Sequence, residues 1–217
     1  MSQTGITADN AANEQELGRM SQALERFSIS ISAATIIGVL AKLAFLYNED
    51  KQKGNDWFTG PIDQKILTTL LLAIFLIIFR GKIMHDDVNF FADLGTQGVF
   101  KSDNTAKILI KLGLFCAYVS WLLWAPAIYF LADHDRVFYF LTASLAFSTI
   151  WLVLDIVTRE KVDWKRALWI VVNMGLVVAL DALRSPSFAS VAAILLLTFS
   201  VFDWLISDPF AGLYKKP

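Results

Sequence analysis

A single cysteine, Cys116, excludes an intrachain disulfide, and it lies in an apolar run where it reveals nothing about the redox compartment. The two histidines, His85 and His134, fall on opposite faces of a bilayer in the topology that the basic residues set, so they cannot serve one catalytic site. No histidine lies within an apolar run, which removes the base that a buried serine nucleophile needs. Charge is also scarce. Only 18% of residues are Asp, Glu, Lys or Arg, where a soluble domain carries about 25%. The net charge of −1 gives no reason to expect a nucleic-acid partner. The first 26 residues lack the basic start and apolar core of a secretory signal, so the first apolar run is expected to direct insertion.

What the chain has instead is apolar residues in long stretches. They make up 56% of the 217 residues, with a mean hydropathy of +0.53. The runs cover 27–47, 62–79, 108–131, 137–157, 164–182 and 188–206. In hydrocarbon every backbone N–H and C=O must be satisfied internally, so such runs are helices or barrel strands. Barrel strands alternate polar and apolar residues over about ten positions, and these runs do not. The expectation is an all-α, polytopic membrane protein, with six transmembrane helices in antiparallel hairpins. The second and fifth runs are the shortest, with uninterrupted cores at 66–79 and 167–180, and rely on snorkelling charges at their ends.

Lys and Arg set the orientation. Arg19, Arg26, Arg80, Lys82, Lys101, Lys107, Arg159, Lys161, Lys165, Arg166, Lys215 and Lys216 share one side, twelve in all. Lys51, Lys53, Lys65, Arg136 and Arg184, five in all, share the other. That bias puts the polar N-terminal tail (1–26), the loop 80–107 and the C-terminal tail (207–217) in the cytoplasm, around a transmembrane domain at 27–206. A prokaryotic plasma membrane is the expected location. Pro126, following Trp121 and Trp124, is placed to break the third helix.

The loop 80–107 is the most informative polar segment. Met84, Val88 and Phe91 recur at helical spacing on one side, and Asp86, Asn89 and Asp93 on the other, with Gly95 as a stop. Lipid-surface helices carry Lys and Arg on the polar side, whereas this one carries acid. Asp86, Asn89 and Asp93 are therefore expected to face a cytoplasmic protein partner or the bundle's own basic loops. Adjacent helical residues point about 100° apart, so His85 and Asp86 do not share an ion, and no metal site or cofactor is expected.

Charged residues within the runs lie near their ends: Lys42 and Asp181 toward the outside, Lys111, Asp155 and Asp203 toward the inside. They are candidates for intramembrane ion pairs or a gate, with Lys42 matched in depth to Asp181, and Lys111 to Asp155 or Asp203. Two aspartates at one depth suggest a proton-sharing dyad, but Asp155 and Asp203 lack flanking glycines, so an aspartyl protease is not expected. Mid-depth polarity is confined to hydroxyls and one amide, including Ser120, Ser144, Ser148 and Asn173, which suit helix packing. The expected function is non-enzymatic, working through homo-oligomeric assembly or a cytoplasmic partner. The alternative is a small oligomeric channel or transporter whose pore is lined by Ser28, Ser32 and Thr35.

Overall fold

A computed structural model describes residues 4–60, 63–94, 99–101, 103–161, 164–183 and 185–207. Every named element among them is helical: α1 (Thr4–Gln52), α2 (Gln64–Leu94), α3 (Asn104–Leu122), α4 (Trp124–Tyr129), α5 (His134–Thr158), α6 (Trp164–Ala182) and α7 (Ala189–Ser207), with a 3₁₀ turn at Pro186–Phe188. The only extended pairing among these residues is a single bridge between Phe100 and Arg159. Four segments are long and apolar enough to cross a membrane: Glu25–Gln52, Gln64–Lys82, Asn104–Tyr129 and His134–Thr158. Ala189–Asp203 is a shorter apolar helix.

Local chemistry accounts for the helix boundaries. Asp63, Asp103 and Asp133 each accept a bond from a first-turn N–H, of Ile66 (2.7 Å), Ala106 (2.8 Å) and Arg136 (3.4 Å). Past the end of α1, the chain turns through Gly54 at φ 86°, a conformation that carries no penalty for glycine. Trp57 closes this turn by donating from Nε1 to Asp50 at 2.8 Å. The third apolar run is interrupted as Pro126 predicts. Proline has no N–H to give the carbonyl of Leu122, and α3 ends there before α4 resumes at Trp124.

Two helices run past their apolar stretches. α1 is continuous over 49 residues, about 74 Å at 1.5 Å per residue, more than twice the roughly 30 Å of hydrocarbon. α2 continues to Leu94, so the acidic segment is part of the second helix, and its last turn comes immediately before Gly95. Phe90 and Phe91 in that turn are buried and pack with Ala117 and Trp121 of α3, beside Phe100 and Trp151.

The helices associate as α1 on α2, α2 on α7, α3 on α5 and α5 on α6, while α6 and α7 barely touch. A core of Leu72, Leu76, Trp124, Phe138, Leu141 and Leu196 joins the two groups. Outside it, large apolar side chains face outward on several helices, among them Ile37, Ile108, Leu122 and Val178. Such a surface is costly in water and suits a lipid solvent.

Candidate functional site

Polar side chains are collected at the end of the bundle where α5 gives way to α6. Arg159 donates from Nε to both oxygens of Asp155 at 2.9 and 3.1 Å, and from Nη2 to Asp93 at 2.8 Å. Arg166 also binds Asp155, and its Nη2 lies 3.7 Å from Asp93. The Asp155 carboxylate is fully buried, while that of Asp93 is 36% exposed. Two acids and two arginines thus form a closed quartet, with the guanidinium forks matched to carboxylates. The quartet joins the end of α2, the end of α5 and the start of α6. The segment leading into α3 is tied on as well: Lys101 N donates to Thr158 O (2.9 Å), Lys101 Nζ to Val157 O (2.9 Å), and the Phe100 ring lies under the Arg159 guanidinium.

One level deeper, α2 supplies two cations that are almost wholly buried. Arg80 reaches the Ser28 carbonyl of α1 at 3.3 Å and lies over the Trp121 ring. Lys82 forms an ion pair with Asp203 of α7 at 3.6 Å, with both side chains shielded.

Hydroxyls hold α3 to α5. Ser120 bonds to Ser144 (2.9 Å) and Ser148 (2.7 Å), and Trp124 Nε1 donates to Ser144 at 3.1 Å. Below this cluster is a cavity of about 80 Å³. Phe79, Trp121, Trp151, Trp169 and Phe199 wall it, and Ser148, Asn173 and Asp203 supply its polar lining. The wall follows from helical periodicity, because residues four apart share a face. α3 gives Ala117 and Trp121, α5 Ser148 and Leu152, α6 Trp169 and Asn173, and α7 Phe199 and Asp203.

The residues singled out in the sequence occupy several places. Asp93 belongs to the quartet, whereas the side chains of Asp86 and Asn89 lie outside the described residues. Asp155 is bound by Arg159 and Arg166, and Asp203 by Lys82; Lys111 is exposed and is brought to neither. Lys42 lies 5.3 Å from the ring centres of both Phe45 and Tyr129, and Asp181 is exposed. Ser28, Ser32 and Thr35 are buried, with Ser32 donating back to the Ser28 carbonyl at 2.7 Å.

Sequence reasoning counted Arg80, Lys82, Arg159 and Arg166 as loop charges, with Arg80 and Arg166 also as snorkelling ends of short runs, and named none of them as a partner of Asp155 or Asp203; for Asp93 it offered the basic loops without a residue. One signal was present: Arg159 follows Asp155 by four residues, the spacing of an ion pair on one helical face. No family model, no curated protein and no solved structure matches this chain.

Proposed function

We propose that this is a six-span integral protein of a prokaryotic plasma membrane, with both termini cytoplasmic, working without catalysis through assembly at its cytoplasmic face. α6 and α7 complete the six. Val171, Met174 and Val178 on α6 and Val191, Ile194 and Leu205 on α7 turn outward, as lipid-facing residues do. The observation that carries the assembly reading is the anchoring of the α2 extension. Phe90 and Phe91 are buried and Asp93 is ion-paired, so the end of α2 that carries the acidic segment is tied to the bundle. A segment anchored at one end loses less entropy when a protein partner or second copy docks on it.

The test is site-directed crosslinking in native membranes, with a photoreactive residue at position 86 or 89. A defined adduct, lost when the other position is changed to Lys, is the expected result. Absence of any adduct at both positions would refute assembly through this face. Asp93 is a poor choice for this test because replacing it opens the quartet.

A carrier for small solutes is the second reading, favoured by the aromatic-walled cavity that α2, α3, α5, α6 and α7 line. The hydroxyls of Ser28 and Ser32 lend it less support, since both side chains lie buried along α1. Solute flux into proteoliposomes separates it from assembly.

A further inference from the structure

Buried polar groups in this bundle generally bond within it. Ser120, Ser144, Thr149 and Ser200 all do. The indole N–H of Trp151 is an exception: Nε1 is buried and has no hydrogen-bond partner among the described residues. Asn173, 8% exposed, is the one amide beside it and bonds to no other described side chain. Both residues line the same cavity, and so does the shielded carboxylate of Asp203. A buried donor left unpaired has given up its bond to water without a replacement, so the cavity suits an occupant that has polar atoms of its own.

We propose that the cavity binds a small organic ammonium ion, held by the ring faces and the Asp203 carboxylate, with Lys82 as the resident cation that competes for that carboxylate. The charge pattern selects this class. Ring faces carry the negative side of the aromatic quadrupole and favour a weakly hydrated cation. An anion would meet those faces and Asp203 together. A bare metal ion needs about six oxygen ligands, and the wall offers fewer from Asp203, Asn173 and Ser148. Arg80 is not a wall residue: its guanidinium reaches the Ser28 carbonyl of α1 and covers the Trp121 ring, which leaves the rings of Phe79, Trp151, Trp169 and Phe199 for the ligand.

Size and polarity narrow the choice further. A cavity of about 80 Å³ is roughly half the 150 Å³ that accommodates benzene, which suits a head group of about four heavy atoms. A hydroxyl on that group would accept from Trp151 Nε1, while the Asn173 carbonyl and Asp203 would accept from the ammonium. Because α6 and α7 barely touch, a longer substituent has a way out between them. Binding stands apart from the carrier reading; only movement of the bound ion across the membrane rests on it.

The experiment is a titration of the full-length protein in nanodiscs with ethanolammonium chloride, monitored by calorimetry and by tryptophan emission. Three of the seven tryptophans line the cavity and report its occupancy. A saturable response is expected that equal concentrations of sodium chloride and sodium acetate do not give. Asp203→Asn and Asn173→Leu should each weaken binding by roughly tenfold or more, the loss of one charge-assisted bond or of the space itself. Lys82→Gln should tighten it, because the competing cation is gone. Asn173 gives up no bond when replaced, so that variant keeps the test decisive if Asp203→Asn fails to fold. The proposal is overturned by absence of a saturable response, by unchanged affinity in Asn173→Leu, or by weaker binding in Lys82→Gln. Saturable binding without liposome flux would keep the site and remove the carrier reading.

Discussion

Arg159 and Asp93, sixty-six residues apart in the chain, meet at 2.8 Å, and the same guanidinium holds Asp155 through its Nε. One side chain therefore links α2 to α5 at the end of the bundle where the chain also enters α3 and α6. Arginine suits this position because its planar fork can engage two carboxylates at once while each keeps further acceptor sites for Arg166. A lysine at 159 would present a point charge and lose the bidentate match to Asp155.

The two acids of the quartet should not contribute equally. Asp155 is fully buried between Arg159 and Arg166, which are themselves only 10% and 21% exposed. Asp155→Asn leaves two shielded guanidinium groups without their central anion, a loss of about 3 kcal/mol. Asp93 is 36% exposed, so Asp93→Asn should cost below about 1 kcal/mol. Thermal unfolding in detergent micelles, read by circular dichroism, checks the ordering. Equal destabilisation by the two variants would show that the quartet is not organised around Asp155.

The helices were legible in the sequence because their signals are local. The apolar run at 164–182 coincides with α6, Pro126 marks the break between α3 and α4, and α2 ends one residue before Gly95. The site was legible only in part. Asp155 and Asp203 stood out as charges within apolar runs, but their partners Arg159, Arg166 and Lys82 sit in polar segments where basic residues are ordinary. Lys111 was the nearer candidate by depth, yet depth is one coordinate, and the direction in which a helix turns its side chains decides the pairing. Asn173 read as a packing residue for the same reason. Nothing local tells an amide against a neighbouring helix from one lining a cavity that five helices enclose.

Gly113 of α3 is buried against Trp151 and Leu154 of α5. A Cβ there would stand 3.4 Å from Trp151 Cδ1 and 3.5 Å from Leu154 Cβ, which is ordinary contact. Gly113→Ala should therefore be neutral or stabilising by up to about 1 kcal/mol, through the lower backbone entropy of alanine in the unfolded chain. Gly113→Leu adds three further carbons at a buried position and should cost about 1–3 kcal/mol through forced repacking. Comparing the melting temperatures of the two variants checks both signs, and a tolerated leucine would show that the α3–α5 interface is loose.

Ser120 is the hub of the hydroxyl cluster, within 2.7 Å of Ser148 and 2.9 Å of Ser144. Hydrogen bonds between membrane helices average about 0.6 kcal/mol, so Ser120→Ala should lower stability by about 1 kcal/mol for the two. Trp124 contributes more through packing than through its bond to Ser144, because it stacks with Phe75 and Phe79 and is 2% exposed. Trp124→Phe should lose about 1 kcal/mol, and Trp124→Ala about 3–5 kcal/mol from the space left behind. Chemical unfolding of the three variants orders them, and a Trp124→Ala protein as stable as Ser120→Ala would contradict the packing account.

Six spans and four spans differ in where the turn between α6 and α7 lies. α6 and α7 have 19 residues each, about 28 Å, close to the roughly 30 Å of hydrocarbon, and both turn large apolar side chains outward. If both cross, Ser185 emerges on the same face as Asn55 and Asp133, opposite Glu160. If only the four most apolar helices cross, α6 and α7 stay on the Glu160 side and Ser185 stays with them. Cys116 is the only cysteine, so Cys116→Ala supplies a background into which single cysteines can be placed. A membrane-impermeant maleimide applied to intact cells should label Asn55→Cys, Asp133→Cys and Ser185→Cys, and should reach Glu160→Cys only after permeabilisation. Ser185→Cys decides the matter: protection in intact cells alongside a labelled Asp133→Cys would reduce the protein to four spans and place the open side of the cavity outside the bilayer.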